Sequence, residues 1–457
     1  MENSHGKLSS RLGFILISAG CAIGVGNVWK FPYITGENGG GAFLLIYFLF
    51  LIIMGLPILT VEFAIGRRAQ KSPIKMYQAI VPEKKAWHLH GKVAFVGNIM
   101  LMMFYTTVCG WMFNYFLKTA RGDFNPTDGT LADSDYIANT FGNTTGSAGE
   151  MILFALITVV AGAIVCSLSL EGGLEKVTKV MMIALIAIMI GLAIYGFTMD
   201  GAGEALSFYL KPDFSKINID VVIAAMNQAF FTLSIGLGSM AIFGSYIGRD
   251  RSLLGESANI ILLDTLVAFV AGLIIFPACF TYNVAPDAGP NLIFVTLPSI
   301  FANMDGGRII GSLFFLFMSF AAFSTVIAVF ENIAACVRDI HPCSRKKSSL
   351  ITGVIVGILS LPCALGFNVW SDVTIIGGNI MDFEDFIVSN ILLPGGALIM
   401  TLFCSWKFGW GYDNFIEEAN AGEGIKVKKG FEFYMKYILP SIIILLIIIG
   451  LVQKFSA

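Results

Sequence analysis

Gly20-Cys-Ala-Ile-Gly-Val-Gly-Asn27 runs directly into Val28-Trp-Lys-Phe-Pro32, and the reading of this stretch decides the fold. It lies inside an apolar run long enough to cross a bilayer. Yet it holds two glycines around Val25, then an asparagine and a lysine. Glycine costs about 1 kcal/mol in a helix interior, and a charged group in hydrocarbon costs more. A second stretch, Phe231-Thr-Leu-Ser-Ile-Gly-Leu-Gly-Ser239, repeats the pattern, with Ser-Ile-Gly-Leu-Gly-Ser answering Ala-Ile-Gly-Val-Gly-Asn. Singly, each glycine pair reads as close helix packing. Together they read as two interrupted helices.

The rest of the chain supplies the setting. Of its 457 residues, 56% are hydrophobic and 13% charged, and mean hydropathy is +0.78. A soluble domain carries about 25% charged residues. The net charge of −2 provides no basic face for nucleic acid. The 8 cysteines form no C-x-x-C pair and fall mostly in apolar runs, as small buried hydrophobes do. Met1 to Ser10 is short and polar, so no signal peptide is expected to be removed.

Apolar stretches of about 20 residues number about eleven. They fall at 12–35, 42–66, 91–118, 151–168, 173–198, 220–247, 252–283, 307–338, 348–366, 384–404 and 431–454. Basic residues gather after span two (Arg67, Arg68, Lys71, Lys75), after span six (Arg249, Arg251), after span eight (Arg338, Arg345, Lys346, Lys347) and before span eleven (Lys426, Lys428, Lys429). With alternating spans these loops share one side with Lys7 and Arg11. The N-terminus is therefore expected in the cytoplasm and the C-terminus outside. The stretch Asn291–Phe301 is apolar but too short to cross, and reads as an outer re-entrant or lid element.

The two breaks lie five spans apart, so their helices enter the membrane from opposite sides, the pattern of inverted repeats meeting at the midplane. A helix broken there bares N–H groups on one half and carbonyls on the other. The first suits a carboxylate and the second a cation. An amino acid and a sodium ion supply both. A channel is disfavoured by the paired breaks and the lack of a charged ring. An intramembrane enzyme is disfavoured because His5, His88, His90 and His341 are expected outside the spans, with no H-E-x-x-H or G-x-S-x-G.

These residues resemble the neurotransmitter:sodium symporter family, in its eleven-helix bacterial branch of tyrosine and hydrophobic amino acid transporters. The resemblance extends through Glu37-Asn-Gly-Gly-Gly-Ala-Phe43, Gly66-Arg67, Tyr105, Lys211-Pro-Asp-Phe214, Gln228 and Pro290-Asn-Leu-Ile-Phe-Val-Thr-Leu-Pro298. It implies the leucine-transporter fold: all-α, integral to the membrane, two inverted five-helix repeats with helices one and six broken. In this chain that means a cytoplasmic N-terminus at 1–11 and a first repeat at 12–198. The second repeat would span 220–404 with an outer lid at 286–306. A cytoplasmic loop at 405–430 and an eleventh helix at 431–457 would follow. The setting implied is a bacterial inner membrane.

Carried over residue by residue, the resemblance implies two sodium ions. The first would take the Ala22 carbonyl, Asn27, Thr232 and Asp264. The second would take the Gly20, Ile23 and Ala321 carbonyls with the Ser324 and Thr325 hydroxyls. These are neutral or anionic oxygens, as a hard cation requires. Many relatives have Asn where Asp264 stands, and chloride-dependent ones bind the anion nearby; here Ala268 follows one turn on. Asp264 is therefore expected to do chloride's electrostatic work, with no chloride required.

Amine transporters place Asp where this chain has Gly24, which leaves room for a substrate carboxylate against Val25, Gly26 and Tyr105. The side-chain pocket implied is Leu101, Phe231, Ser234, Leu237, Thr325 and Val329, with Ala22 and Thr232 beside it. It is apolar with a few hydroxyls, and roomy enough for an aromatic, tyrosine-like amino acid, with leucine or methionine as the alternative. A proton-coupled permease of the same fold is the rival coupling. Tyr105 and Phe231 would close an outer gate beneath a Lys30–Asp385 ion pair (Asp382 as the alternative partner), and Asp339 with Tyr246 would serve the inner gate. Relatives have Arg and Trp near the N-terminus, where this chain offers His5, Lys7 and Leu8. Ile183 stands where relatives often have Pro. Glu62 and Glu331 are expected to tie spans together.

Overall fold

A helix satisfies every backbone polar group within itself, which is why apolar runs in a membrane fold this way. The structure, a computed structural model, describes residues 11–125, 134–285 and 291–456. They are helical almost throughout, with two isolated bridges as the only β-pairing among the described residues. Nine described helices are long and apolar enough to cross a bilayer: Gly41–Ala69, Lys85–Arg121, Ala148–Ser167, Gly173–Gly196, Leu253–Thr281, Gly307–Ile340, Arg345–Leu365, Ile380–Ser405 and Lys429–Phe455. They are spans two to five and seven to eleven. Span one is a bent pair, Arg11–Ala22 and Gly26–Glu37, meeting at 58°. Span six is Ile219–Thr232 and Ser239–Gly244 with Leu233–Gly238 between.

Both expected breaks are therefore present. In span six the chain turns through positive φ at Ser234 (49°), Gly236 (111°) and Gly238 (76°). At Gly236 a Cβ would also strike the Leu393 carbonyl, so the turn tolerates little but glycine.

Five π-turns each end two residues before a proline, at Gly26–Lys30, Leu51–Gly55, Leu292–Thr296, Val388–Leu392 and Tyr434–Ile438. The prolines are Pro32, Pro57, Pro298, Pro394 and Pro440. Proline donates no N–H and crowds the carbonyl four residues back, so the turn ahead of it widens. Three of the carbonyls so released are taken by other spans. Tyr434 donates to the Ile53 carbonyl (2.6 Å), Tyr115 to that of Phe294 (3.0 Å), and the Trp406 indole to that of Lys436 (3.1 Å).

Span eight is the buried axis, with 83% of its apolar window inside the protein, whereas spans four, five and eleven are only 33% buried. The outward side of span four, Leu153, Ile157, Val160 and Ile164, repeats every three to four residues and stays apolar, as a lipid-facing stripe must. Span five runs unbroken past Ile183, which is 53% exposed on the lipid side.

Several details differ from the sequence reading. His88 and His90 lie inside the helix of span three, which begins at Lys85. His90 is buried against the Tyr77 hydroxyl (2.7 Å), so it is a packed core residue, not a loop histidine. The long loop before span four contains a helix, Ser134–Gly146, and the loop before span eleven contains Tyr412–Ala419. The lid is two short helical turns, Leu292–Thr296 and Leu297–Asn303; Pro286 to Pro290 of that segment lie outside the described residues, as do His5, Lys7 and Leu8. All 8 cysteines are free, and all but Cys343 are buried.

Candidate functional site

The breaks of spans one and six meet across a shared centre. Asn27, just past the first break, is held at both ends. Its Oδ1 accepts the Gly24 N–H (3.0 Å), and its Nδ2 donates to the Asp264 carboxylate (2.8 Å) and carbonyl (3.1 Å). Thr232, at the end of the first half of span six, donates to the other Asp264 oxygen (3.3 Å). All three side chains are buried. A carboxylate without a basic partner is costly here, and its oxygens form an anionic corner suited to a small hard cation. Gln228 donates to the Gly26 carbonyl (2.9 Å). Its own Oε1 has no hydrogen-bond partner among the described residues, and the Tyr47 hydroxyl faces Asp264 and Thr232.

The second expected ligand set also converges. Ser324 donates to the Ile23 carbonyl (3.2 Å) and back to its own helix at Ala321 (2.9 Å). Thr325 donates to the Ile23 (3.2 Å) and Cys21 (3.3 Å) carbonyls. A Cβ on Gly20 would rest 3.4 Å from that of Ser324. The hydroxyls of span eight thus already bridge to the carbonyls that the first half of span one leaves unpaired. Back-bonding accounts for only one of the four contacts.

Above them lies the expected substrate position. The Val25 N–H donates to the Tyr105 hydroxyl (3.0 Å). A Cβ on Gly24 would collide with that hydroxyl and with Thr325 Oγ1, and one on Gly26 would press on the Phe231 ring at 3.1 Å. Leu101 lies one turn before Tyr105, and Val329 one turn after Thr325; both are buried, as is Ala22. Ser234 lies in the span-six turn itself. Leu237, expected in the pocket wall, points to Gly97 and Asn98 of span three, where Asn98 takes its carbonyl (2.7 Å). An outer cavity of about 250 Å³ opens onto Val25, Tyr105 and Phe231, with Trp29, Lys30 and Asp385 among its walls.

Both gates differ from expectation. Lys30 and Asp385 face the same cavity without pairing, and Asp382 does not take Asp385's place. Lys30 lies over the Phe231 ring, 3.9 Å from its centroid, and Asp385 accepts from Ser389 (2.7 Å). A single ammonium is satisfied by a ring face, where a bidentate guanidinium would favour the carboxylate. On the inner side Asp339 accepts from Ser72 (2.7 and 2.9 Å) and lies 3.7 Å from Lys71. Tyr246 donates to Glu331 (2.8 Å) rather than toward Asp339, because Glu331 is already fixed by Arg338 (2.9 Å) and Arg345 (2.6 Å).

Glu62 does more than tie spans. It accepts the Gly236 (2.9 Å), Met240 (2.9 Å) and Ala241 (3.4 Å) N–H groups, and so caps the second half of span six. Asn98 and Asn332 support the same break through Ser239 (2.8 and 3.3 Å). Neither asparagine was singled out from the sequence, although an amide inside a span is the signal that could have found them.

Comparison with known proteins bears on the family and the overall fold. The family model of the sodium:neurotransmitter symporters matches residues 5–129 and 136–457. An uncharacterized sodium-dependent transporter of Bacillus subtilis, YhdH, is 34% identical over 98% of this chain and 97% of its own length. Another from Haemophilus influenzae is 32% identical over 97% of each. The crystal structure of MhsT in complex with L-phenylalanine superposes with a TM-score of 0.85 at 35% identity, covering 97% of this chain and 99% of that one.

Proposed function

Because the chain belongs to the sodium:neurotransmitter symporter family, multi-pass membrane transporters and not enzymes, we propose that it carries a hydrophobic α-amino acid, aromatic by preference, together with sodium and without chloride. The observation that carries the proposal is the buried Asn27–Thr232–Asp264 corner beside Gly24, whose missing side chain lets the Tyr105 and Thr325 hydroxyls approach the backbone. One sodium ion would be taken at the Ala22 carbonyl, Asn27, Thr232 and Asp264. A second would be taken at the Gly20, Ile23 and Ala321 carbonyls with Ser324 and Thr325. The substrate carboxylate would lie at the Val25 and Gly26 N–H groups with the Tyr105 hydroxyl. Its side chain would point toward Leu101, Phe231, Ser234, Thr325 and Val329. Aromatic preference is supported by the absence of a charged group among these residues and by the L-phenylalanine bound to MhsT.

Asp264 supplies the negative charge that neutralises sodium. At about 4 Å and an effective dielectric near 20, that attraction is worth about 4 kcal/mol, so no added anion is needed. Sodium and substrate stabilise the same rearrangement, and each tightens the binding of the other. The transporter would work by alternating access in a bacterial inner membrane, with its N-terminus in the cytoplasm and the two repeats at 12–198 and 220–404. The test is uptake of labelled phenylalanine, tyrosine and leucine into proteoliposomes. Uptake that needs inward sodium and persists in chloride-free buffer is expected. Strict chloride dependence would remove the role given to Asp264, and uptake on a proton gradient alone would favour the proton-coupled reading. Better uptake of leucine than of the aromatic acids would favour the smaller substrate.

A further inference from the structure

Glu384 takes no part in the site described above, yet among the described residues it is the acid with the poorest support. It lies in the first turns of span ten, and its side chain is 2% exposed. Among the described residues no backbone N–H, hydroxyl or basic side chain is hydrogen-bonded to either carboxyl oxygen, and the Cys363 thiol is the one weak donor set against them. A buried carboxylate left so costs far more than the neutral acid in the same place. Asp382 and Asp385, on the same turns, face the outer cavity instead. Glu384 is turned away from it, toward spans three and nine, where the Cys363 thiol is the titratable side chain set against it. From the other neighbouring elements come Tyr105 of span three, Lys30 and Tyr33 of span one across the cavity, and Lys454 of span eleven over the Phe386 ring. None of them forms an ion pair with Glu384.

The position matters because this helical turn is built to shift. The π-turn Val388–Leu392 follows directly, loosened by Pro394, and such turns are common points of adjustment. We propose that Glu384 is a proton-binding site coupled to the outer gate. It holds a proton while the start of span ten is packed on spans three and nine, and releases it to the outer solvent when that turn moves away. The balance is simple: the carboxylic acid becomes a carboxylate, and one proton passes to water. Each opening releases one proton, so rising pH favours the displaced arrangement, by up to about tenfold per pH unit, until the packed acid itself titrates.

Two measurements test this without relying on transport, so their failure is distinct from failure of the amino acid assignment. Infrared difference spectra of the purified protein at neutral pH, wild type against Glu384→Gln, should show a protonated-carboxyl band that the substitution removes. An unchanged band region overturns the proposal. Glutamine keeps the shape of the side chain and the fold. Next, Met381→Cys, on the cavity wall, reports opening through its rate of labelling by a membrane-impermeant thiol reagent. The same cysteine in the Glu384→Gln protein corrects for thiolate chemistry. The ratio of the two rates should rise more than about threefold between about pH 6 and about pH 9. A ratio that stays flat overturns the coupling to the gate.

Discussion

At the scale of single residues, the site depends on one missing side chain and one charge. A methyl group at Gly24 would meet the Tyr105 hydroxyl and Thr325 Oγ1. Overpacking of this kind costs about 1–3 kcal/mol, and it falls where the substrate carboxylate would lie. Gly24→Ala should therefore lower phenylalanine affinity at least about tenfold while circular dichroism still reports a folded helical protein; unchanged affinity in a binding assay would place the carboxylate elsewhere. Asp264→Asn keeps the hydrogen-bonding shape of the corner and removes its charge. Sodium-dependent binding should fall by about tenfold or more in chloride-free buffer and recover in part when chloride is added. Full activity without chloride would show that the charge is not used. Both positions could be read from the sequence, because an intramembrane aspartate and a glycine beside another glycine stand out against an apolar run. Lys30 was only half legible: its place at the cavity followed from the motif, but its choice of the Phe231 ring over Asp385 depends on side-chain geometry across two spans.

Between residues and molecule, helices are shaped by where their backbone bonds fail. Span boundaries were legible because hydrophobic length is a property of contiguous sequence, and the breaks because glycine pairs interrupt it. What repairs the breaks was not. Glu62 caps Gly236 from 174 positions away, and no local pattern reports that. The same holds for the proline-released carbonyls. Tyr434 serves the carbonyl of Ile53 that Pro57 cannot occupy. Tyr434→Phe should destabilise the protein by about 1 kcal/mol or more, the cost of leaving a part-buried carbonyl unsatisfied. In a Pro57→Ala background, where residue 57 donates its own N–H, the same change should cost distinctly less. A double-mutant cycle in thermal unfolding measures the difference, and additive losses would rule the repair out.

Across the whole molecule, the inner face is fastened by a helix that hydropathy alone reads as loop. Glu418, in Tyr412–Ala419, joins Arg67 at the end of span two (2.8 Å) and also pairs with Arg249 beyond span six. Burial alone would raise its carboxyl, but the two guanidiniums outweigh that and hold it below its ordinary value of 4.5. A carboxyl depressed in the folded state contributes stability above its unfolded pKa and loses it as pH falls through the folded value. Amide exchange of 412–419 should thus be slow and steady from neutral pH down to about 4.5. It should accelerate below that, beyond the intrinsic rate change; uniform protection into stronger acid would mean that the ion pairs hold nothing. Partners 351 positions apart were beyond the sequence, since neither charge announces which of many opposites it will meet. At the other face, Phe294 of the lid receives Trp29 of span one edge-on at 5.4 Å and Trp111 of span three at 5.5 Å. One indole rides on the segment that bends and the other on a long continuous helix. The protein therefore carries its own optical pair, a moving emitter and a reference, whose fluorescence should shift on adding sodium and substrate and lose that shift in Trp29→Phe, with no dye attached.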